Sequence, residues 1–513
     1  MSLSGATSTS RNTSGSEEQV RIWDALDHEK ENLIINAVAG SGKTYTIVEW
    51  AKRQKQGRVG LVAFNKHIAV ELTERMNGSK NVEAMTYHSL GFKLVREAWG
   101  KVKVDPHKVD GILDDVNLGI ADEWEEKKVR WKVKTVVSLA KQYCVRERGE
   151  LEKLVDHHGV EMNGHEDLVY TQVPKILDEC RKNMGVVDFD DMVWLPGELG
   201  LRSKWGVYDV LMIDEAQDTN LAQQWIALNM CRRLVVVGDE HQAIYGFRGS
   251  DSESMNRLQE KLSTWSNSVS NLPLTVTRRC PRSHVELAQR IVPQIKPLET
   301  ALQGVVETRS RSEAMGSMAP GDLVLCRVNA ELLGTAYSLL KMGKKAVVRG
   351  RDIGEGLVKL IEKAGKSARQ ENMRTDELLR WAGEITDQEM RKYNAIPKNR
   401  GAMRAAAAQD KYECLVELSG GAEDARGLRG VVEKLFADFD EEGKPKDAIT
   451  LGTVHRTKGL ESERVWVLRP ELIPHPMAKQ GWEREQEMNL AYVAVTRSKR
   501  ELYWVGKECE LFM

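Results

Sequence analysis

The chain has 513 residues and an almost balanced charge, with 75 Lys and Arg against 76 Asp and Glu and a formal net charge of −1 at pH 7. This balance excludes a global positive field, so any nucleic-acid binding must use local patches. Seven scattered cysteines without a CxxC pair indicate neither a zinc site nor a disulfide framework. No apolar run approaches the ~20 residues of a membrane span, so we expect a cytoplasmic protein without membrane contact.

Residues 1–15 are rich in Ser, Thr and Gly, which predicts a disordered tail. Residues 33–35 are an apolar strand, and residues 37–44 read Ala-Val-Ala-Gly-Ser-Gly-Lys-Thr. A strand that runs into a glycine-rich loop and then a helix is typical of a nucleoside-triphosphate site, because backbone N–H groups and the helix dipole surround the phosphates. Lys43 can reach the β- and γ-phosphates, and the Thr44 hydroxyl is placed for Mg²⁺. The loop residues predicted to hold ATP are Ala39, Gly40, Ser41 and Gly42.

A second apolar strand ends in an acidic pair and supports this interpretation. Ala37 stands where the phosphate-loop pattern usually has its first glycine, so the match of this loop to the pattern needs support from a second motif. Residues 209–218 read Asp-Val-Leu-Met-Ile-Asp-Glu-Ala-Gln-Asp. We expect Asp214 to hold Mg²⁺ and Glu215 to orient and deprotonate the attacking water. The two motifs together predict ATP hydrolysis.

Short apolar strands alternate with helical segments in both halves of the chain, which predicts two α/β domains with parallel sheets. The predicted strands cover residues 59–64, 207–213 and 234–237 in the first half, and 323–327, 346–348, 449–453 and 464–468 in the second. We predict a first α/β domain over 16–90 and 187–278, with a helical insertion at 91–186. The second domain covers 279–352 and 447–513, with a shorter helical insertion at 353–446.

Further motifs follow in a fixed order along the chain. Residues 235–249 read Val-Val-Val-Gly-Asp-Glu-His-Gln-Ala-Ile-Tyr-Gly-Phe-Arg-Gly, residues 453–461 read Thr-Val-His-Arg-Thr-Lys-Gly-Leu-Glu, and residues 490–497 read Leu-Ala-Tyr-Val-Ala-Val-Thr-Arg. With the two phosphate motifs, they resemble the UvrD/Rep-like superfamily 1 DNA helicases over about residues 16–505. Phe64-Asn65-Lys66 and Thr86-Tyr87-His88-Ser89 are similar to the F-box helicase branch of that family.

The resemblance implies two RecA-like motor domains with ATP and Mg²⁺ sandwiched between them. It gives Gln242 a γ-phosphate contact and makes Arg279 and Arg497 the cations that neutralise charge developing in the transition state. It also assigns Gln19 to adenine and Glu461 to the ribose.

Arg278 departs from the family pattern, because a tyrosine that stacks on adenine usually stands there. A guanidinium can stack on a base too, so we expect binding to survive with relaxed nucleotide selectivity.

The resemblance also implies a track for single-stranded DNA. Aromatic side chains would stack on bases, at about 1–3 kcal/mol per base, while polar side chains would contact phosphates or bases. The residues expected on the track are Phe64, Asn65, Thr86, His88, Tyr245, Phe247, Thr453 and His455.

The predicted activity is ATP-dependent movement on single-stranded DNA and at single-strand/duplex junctions, 3′-to-5′, by a monomer acting in replication, recombination or repair. Recombination or replication proteins are the expected partners. The short second insertion leaves open a translocase that strips proteins from DNA with weak unwinding. An inactive DNA-binding scaffold is the alternative from another class, and a nuclease domain after Arg497 is not expected.

Overall fold

The computed structural model describes residues 15–244, 254–265, 268–370, 372–394, 402–436, 448–478 and 481–512. The predicted tail therefore falls outside the described residues except for Gly15, and so do Tyr245 and Phe247 of the predicted DNA track. Across the described ranges, none of the helices combines the length and the apolar character that crossing a membrane requires.

Helices and strands alternate through the first half of the chain. In order they are α1 Glu17–His28, β1 Asn32–Ala37, α2 Lys43–Arg53, β2 Val59–Ala63, α3 Lys66–Arg75, β3 Val82–Thr86, α4 Tyr87–Trp99, β4 Lys103–Val104, α5 Lys108–Asp114, α6 Glu123–Tyr143, α7 Arg148–His157, α8 Glu166–Lys182, β5 Val186–Val187, α9 Phe189–Glu198, β6 Tyr208–Ile213, α10 Leu221–Asn229 and β7 Cys231–Gly238.

The same alternation continues in the second half. The elements are α11 Ser254–Trp265, β8 Val269–Leu274, β9 Val276–Thr277, α12 Arg282–Ala288, β10 Lys296–Pro297, β11 Val305–Arg309, α13 Arg311–Ser317, β12 Leu323–Cys326, α14 Asn329–Lys341, β13 Ala346–Val348, α15 Arg351–Ala368, α16 Thr375–Asn394, α17 Ala402–Ser419, α18 Ala425–Phe436, β14 Ile449–Thr453, β15 Ser462–Leu468, α19 Gly481–Val495 and β16 Ser498–Val505.

The chain divides into two compact units. The described part of the first lies within 15–146, 171–239 and 254–275, and that of the second within 147–170, 240–244 and 276–512. Residues 147–170 and 240–244 therefore group with the second unit, although the sequence had placed both ranges in the first domain or its insertion. The Glu161–Lys392 ion pair, at 3.7 Å, is one contact that ties the former range to the second unit. The domain boundaries predicted from the sequence stay predictions.

A six-stranded parallel sheet forms the centre of the first unit, with the order β3-β2-β6-β7-β1-β8. Successive residues of its strands point to opposite faces. Leu33 and Ile35 of β1 pack with α1, α2 and α3, whereas Ile34 packs in the cluster that contains residues of α4, α10 and α11. Both faces are covered, which explains why the central strands are continuous apolar runs.

A second six-stranded parallel sheet, with the order β11-β16-β15-β12-β14-β13, forms the centre of the second unit. Its core continues into the insertion, because residues of α15, α16, α17 and α18 belong to the same hydrophobic cluster as strands β12, β13 and β14. The predicted α/β class with two parallel sheets is confirmed.

The insertion of the first unit is mainly helical, as expected, but it is not free of strands. Two-residue strands β4 and β5 pair in parallel, with Lys103 opposite Val186 and Val104 opposite Val187. A strand of two residues is too short to show a period-2 pattern. The pairing of β4 with β5 could therefore not be predicted from the sequence.

Helix α4, which begins at the predicted DNA-contact segment, lies unusually close to α9. A Cβ atom added to Gly91 of α4 would lie 2.1 Å from the carbonyl oxygen of Met192 in α9. The absence of a side chain at residue 91 therefore sets the separation of these two helices.

We expect Gly91→Ala to lower the free energy of unfolding by about 1–3 kcal/mol, because the two helices must move apart to admit the methyl group. Urea denaturation would measure this change. Gly111→Ala in α5 is the matched control, since nothing lies within 4 Å of a Cβ there, and a helical Gly→Ala change gains up to about 1 kcal/mol. Equal stability of the two variants would contradict the prediction.

Candidate nucleotide and nucleic-acid site

The glycine-rich loop connects the end of β1 to the start of α2. Gly40 and Gly42 have φ values of 70° and 88°, in the left-handed region where a side chain is strained. Helix α2 begins at Lys43, and no side chain caps it at Gly42. The first N–H groups of this helix face the loop, which is the arrangement that binds phosphate at a helix N-terminus.

Lys43 is buried beside the acidic residues that directly follow β6 and β7 in the chain. Its Nζ lies 3.3 Å from Glu215 Oε2. Burial lowers the pKa of Lys43, but the charges of Glu215, Asp239 and Asp214 outweigh that effect, so the pKa is raised overall. The ammonium group is therefore charged at neutral pH, as a phosphate ligand must be.

Thr44 and Asp214 meet directly, as two ligands of one metal ion would. The Thr44 hydroxyl donates to Asp214 Oδ2 at 2.5 Å. Burial, together with the neighbouring Glu215 carboxylate, raises the pKa of Asp214 to about 6, although Thr44 and Lys43 oppose the shift. Both side chains offer the oxygen ligands that Mg²⁺ prefers, and Mg²⁺ commonly takes only one or two carboxylates together with phosphate oxygens. Within the described residues no cluster of three or more His, Cys, Asp or Glu forms a metal site from protein alone.

Glu215 is held in position by its backbone and by Gln217. Its φ of 53° is in the left-handed region, which is rare for a residue with a side chain and is a feature of functional sites. The Gln217 Nε2 donates to Glu215 Oε2 at 2.5 Å, and the Gln217 Oε1 accepts from the Asp239 N–H at 3.0 Å. Sequence reasoning missed the roles of Gln217 and Asp239, although both lie in motifs that it had singled out.

Gln19 reaches the same helix that carries Lys43. Its side chain is buried, its Nε2 donates to Thr46 Oγ1 at 3.0 Å, and its Oε1 accepts from the Ser16 N–H at 3.0 Å. The latter bond belongs to a capping box at the start of α1. The amide thus has a structural role beside the loop, and its contact with adenine stays a prediction.

In the second unit, Gln242 and Arg497 lie side by side. Arg497 is only 1% exposed, and its guanidinium donates to the carbonyls of Val493 and Leu460 at 3.0 and 3.2 Å. Its Nη2 lies 3.4 Å from Gln242 Oε1. This pairing brings together two residues that the sequence assigned separately to the γ-phosphate.

The turn at residues 240–243 is fixed by two side chains that sequence reasoning did not single out. Lys458 Nζ donates to the Gln242 carbonyl at 2.5 Å, and Asn489 Nδ2 donates to the Ala243 carbonyl at 3.0 Å. Both residues lie within or beside recognised motifs, but nothing in the linear pattern indicates their partner.

Arg279 joins Arg497 through Thr496. The Arg279 Nη1 donates to the Thr496 carbonyl at 3.2 Å, while the Thr496 hydroxyl accepts from Arg497 Nη2 at 3.3 Å. Arg279 also forms an ion pair with Glu461 at 2.5 Å. The neighbouring Arg278 is exposed, and its expected stacking on a base stays a prediction.

Several residues predicted on the DNA track have local structural roles. The side chains of Asn65 and Thr86 cap helices α3 and α4, accepting from the Ile68 N–H at 2.9 Å and the Ser89 N–H at 3.2 Å. Burial lowers the pKa of the His88 imidazole, and the negative charge of Asp190 opposes part of that shift. A helix cap can still offer its other lone pair to a ligand, so these contacts stay predictions.

The remaining described members of the track lie where strands end. Phe64 directly follows β2, Thr453 is the last residue of β14, and His455 lies in the 3₁₀ turn after it. In a parallel α/β sheet, ligands bind outside the carboxyl ends of the strands. These positions are compatible with the predicted contacts, whereas Tyr245 and Phe247 lie outside the described residues.

Comparison with known proteins places the chain in a family. Residues 19–263 match the UvrD/REP helicase N-terminal domain, and residues 204–507 match the UvrD-like helicase C-terminal domain, which alone covers more than half of the chain. The chain therefore belongs to the UvrD/Rep-like superfamily 1 helicases. The family assignment confirms the predicted class of two RecA-like motor domains.

Individual relatives are distant but match over most of this chain. It is 25% identical to F-box DNA helicase 1 of Gallus gallus over 94% of its own length, and 22% identical to the ATP-dependent DNA helicase Rep of Salmonella typhimurium over 91%. It is 23% identical to the ATP-dependent DNA helicase PcrA of Bacillus subtilis over 92%. The match covers 87% of that Rep and 80% of that PcrA. The chain spans only about half of the F-box relative, at 48%.

The raised pKa of Asp214 makes stability depend on pH. Between its usual value of 3.8 and about 6, the folded chain binds more protons at this group than the unfolded chain. The free energy of unfolding therefore falls as pH rises through this range.

We expect Asp214→Asn without nucleotide to be more stable than the native chain by about 1–3 kcal/mol at pH 8, with a difference that shrinks towards pH 4. Denaturation at both pH values in EDTA measures it. Asp24→Asn on the exposed face of α1 is the control, for which no such trend is expected. A stability difference between Asp214→Asn and the native chain that grows as pH falls would contradict the raised pKa of Asp214.

Proposed function

We propose that this chain is an ATP-dependent DNA motor that moves on single-stranded DNA and unwinds duplex ahead of it, in replication, recombination or repair. The contact of Lys43 with Glu215 and of Thr44 with Asp214, at the carboxyl ends of parallel strands, is the observation that supports this proposal most. It brings a lysine, a hydroxyl group and two carboxylates into one site, and we assign to them the roles of phosphate-binding cation, metal ligands and base. The names of the relatives support the choice of DNA as the track.

In the proposed reaction each side chain has one task. Lys43 binds the terminal phosphates, and Glu215, oriented by Gln217, accepts a proton from the attacking water. Thr44 and Asp214 would hold Mg²⁺, which supplies charge neutralisation at the phosphates when bound. Gln242, Arg279 and Arg497 supply further contacts to the γ-phosphate. A scaffold without catalysis is disfavoured, because the cation and the carboxylate base are both present and in contact.

A translocase that clears proteins from DNA, with weak unwinding, is the second candidate. The described insertion helices α15–α18 share the hydrophobic core of the second sheet. An insertion that packs within the motor core offers less independent surface for separating strands than a free-standing one. We propose that recombination or replication proteins are the partners in either case, and that the active form is a monomer.

We expect ATP hydrolysis to be stimulated by single-stranded DNA and to fall by about 100-fold or more in Lys43→Ala and Glu215→Gln, because each removes one charge from the reacting centre. Phosphate release with and without oligothymidylate measures this. Lys52→Ala is the matched control, since Lys52 lies on the same helix and pairs with Glu49 on the surface, at 2.8 Å. A native chain that hydrolyses no ATP in the presence of DNA would refute the motor.

The direction of movement is the next prediction. We expect a duplex with a 3′ single-stranded tail to be unwound and one with a 5′ tail to remain paired, as measured by strand release. Unwinding from 5′ tails alone would reverse the proposed polarity. Displacement of a bound protein from single-stranded DNA without strand release from either duplex would select the second candidate.

A further inference from the structure

One carboxylate in the second unit is shared by two cations. Glu461 Oε2 lies 2.5 Å from Arg279 Nε, and Glu461 Oε1 lies 2.5 Å from Lys499 Nζ. The Glu461 and Lys499 side chains are each 37% exposed, while that of Arg279 is 18% exposed. The three groups are thus accessible enough to exchange partners without unfolding their surroundings.

The backbone keeps Glu461 and Lys499 together. Strands β15 and β16 pair in parallel, with Ser462 opposite Ser498. Glu461 precedes the first of these residues and Lys499 follows the second, so the ladder sets their separation. Arg279 comes from a different segment, the loop after β9, and is the member of the trio that is not tied to this ladder.

The ion pair opposes the task proposed for Arg279. Burial raises the pKa of Glu461, but Arg279 and Lys499 outweigh that effect and hold it below its usual value. The carboxylate is therefore ionised at neutral pH and neutralises Arg279. A phosphate that binds Arg279 through Nε must displace Glu461 from that donor, and the displaced carboxylate would be left without a counter-charge unless a second cation keeps it.

We propose that Lys499 is a positioning residue for nucleotide binding, which holds the Glu461 carboxylate when Arg279 turns to a phosphate group. The inference rests on the proposed function of Arg279 as a phosphate ligand. Glu461 pairs with Arg279 at Nε, a donor that a phosphate group can also take, and Lys499 lowers the cost of moving the carboxylate away.

Inorganic tripolyphosphate isolates this exchange, because it offers phosphate groups without a ribose. We expect Glu461→Gln to bind tripolyphosphate about 2- to 5-fold more tightly, and Lys499→Met to bind it more weakly by a similar factor, the range typical of partly exposed ion pairs. Isothermal titration calorimetry with Mg²⁺ present measures both. Glu463→Gln and Lys507→Met are the charge-matched controls on exposed positions of the same unit.

The exchange also predicts how the effects combine. Lys499→Met should not change the affinity for tripolyphosphate when Glu461→Gln is already present. Likewise, Glu461→Gln should not change this affinity in the Arg279→Ala variant. A purely structural role of Lys499 would lower the melting temperature without this coupling.

The outcomes separate the inference from the proposed function. Unchanged or weaker tripolyphosphate binding by Glu461→Gln, or an undiminished effect of Lys499→Met in its presence, would overturn the inference even if ATP hydrolysis is normal. Conversely, the chain could show the predicted coupling in tripolyphosphate binding and yet hydrolyse no ATP in the presence of DNA. That result would support the exchange of Glu461 between Arg279 and Lys499 and refute the proposed motor function.

Discussion

The buried ammonium group of Lys43 is the constraint on which the candidate site depends. A charge in the interior is tolerated only when opposite charges surround it, and here Glu215, Asp214 and Asp239 do so. Parallel strands make this possible, because the ends of β6 and β7 bring their acidic residues to the edge where β1 enters the loop. Burial raises the pKa of Asp214, and repulsion by the Glu215 carboxylate, which also stabilises the lysine, raises it in the same direction.

The sequence predicted most of the central strands and the edge strand β13, but not the edge strands β3, β8 and β11 or the central strand β16. Strands β1, β6 and β7 are buried on both faces, so their apolar runs are unmistakable. Strand β3 alternates Val, Glu, Ala, Met and Thr with little burial, β8 contains Pro273, and β11 ends in exposed polar residues. Such strands owe their conformation to the neighbouring strand rather than to their own composition.

The sequence identified the residues of the site better than their partners. The fixed order of motifs singled out Lys43, Asp214, Arg279 and Arg497, but no pattern showed that Gln217 orients Glu215 or that Thr496 lies between the two arginines. The contacts of Gln217 with Asp239 and of Arg279 with Thr496 join residues that are 22 and 217 positions apart, so they arise only when the sheets are assembled. Local contacts were missed for another reason, because the same Asn or Thr side chain can serve a helix cap and a ligand.

The contact of both arginines with Thr496 has a thermodynamic consequence. Two groups that share one backbone segment cannot relax independently, so an energy measured by truncating one includes the adjustment of the other. Two guanidinium groups arranged in this way act together as one electrostatic unit. The energies measured by truncating each arginine alone are therefore not expected to add up to the energy lost when both are truncated.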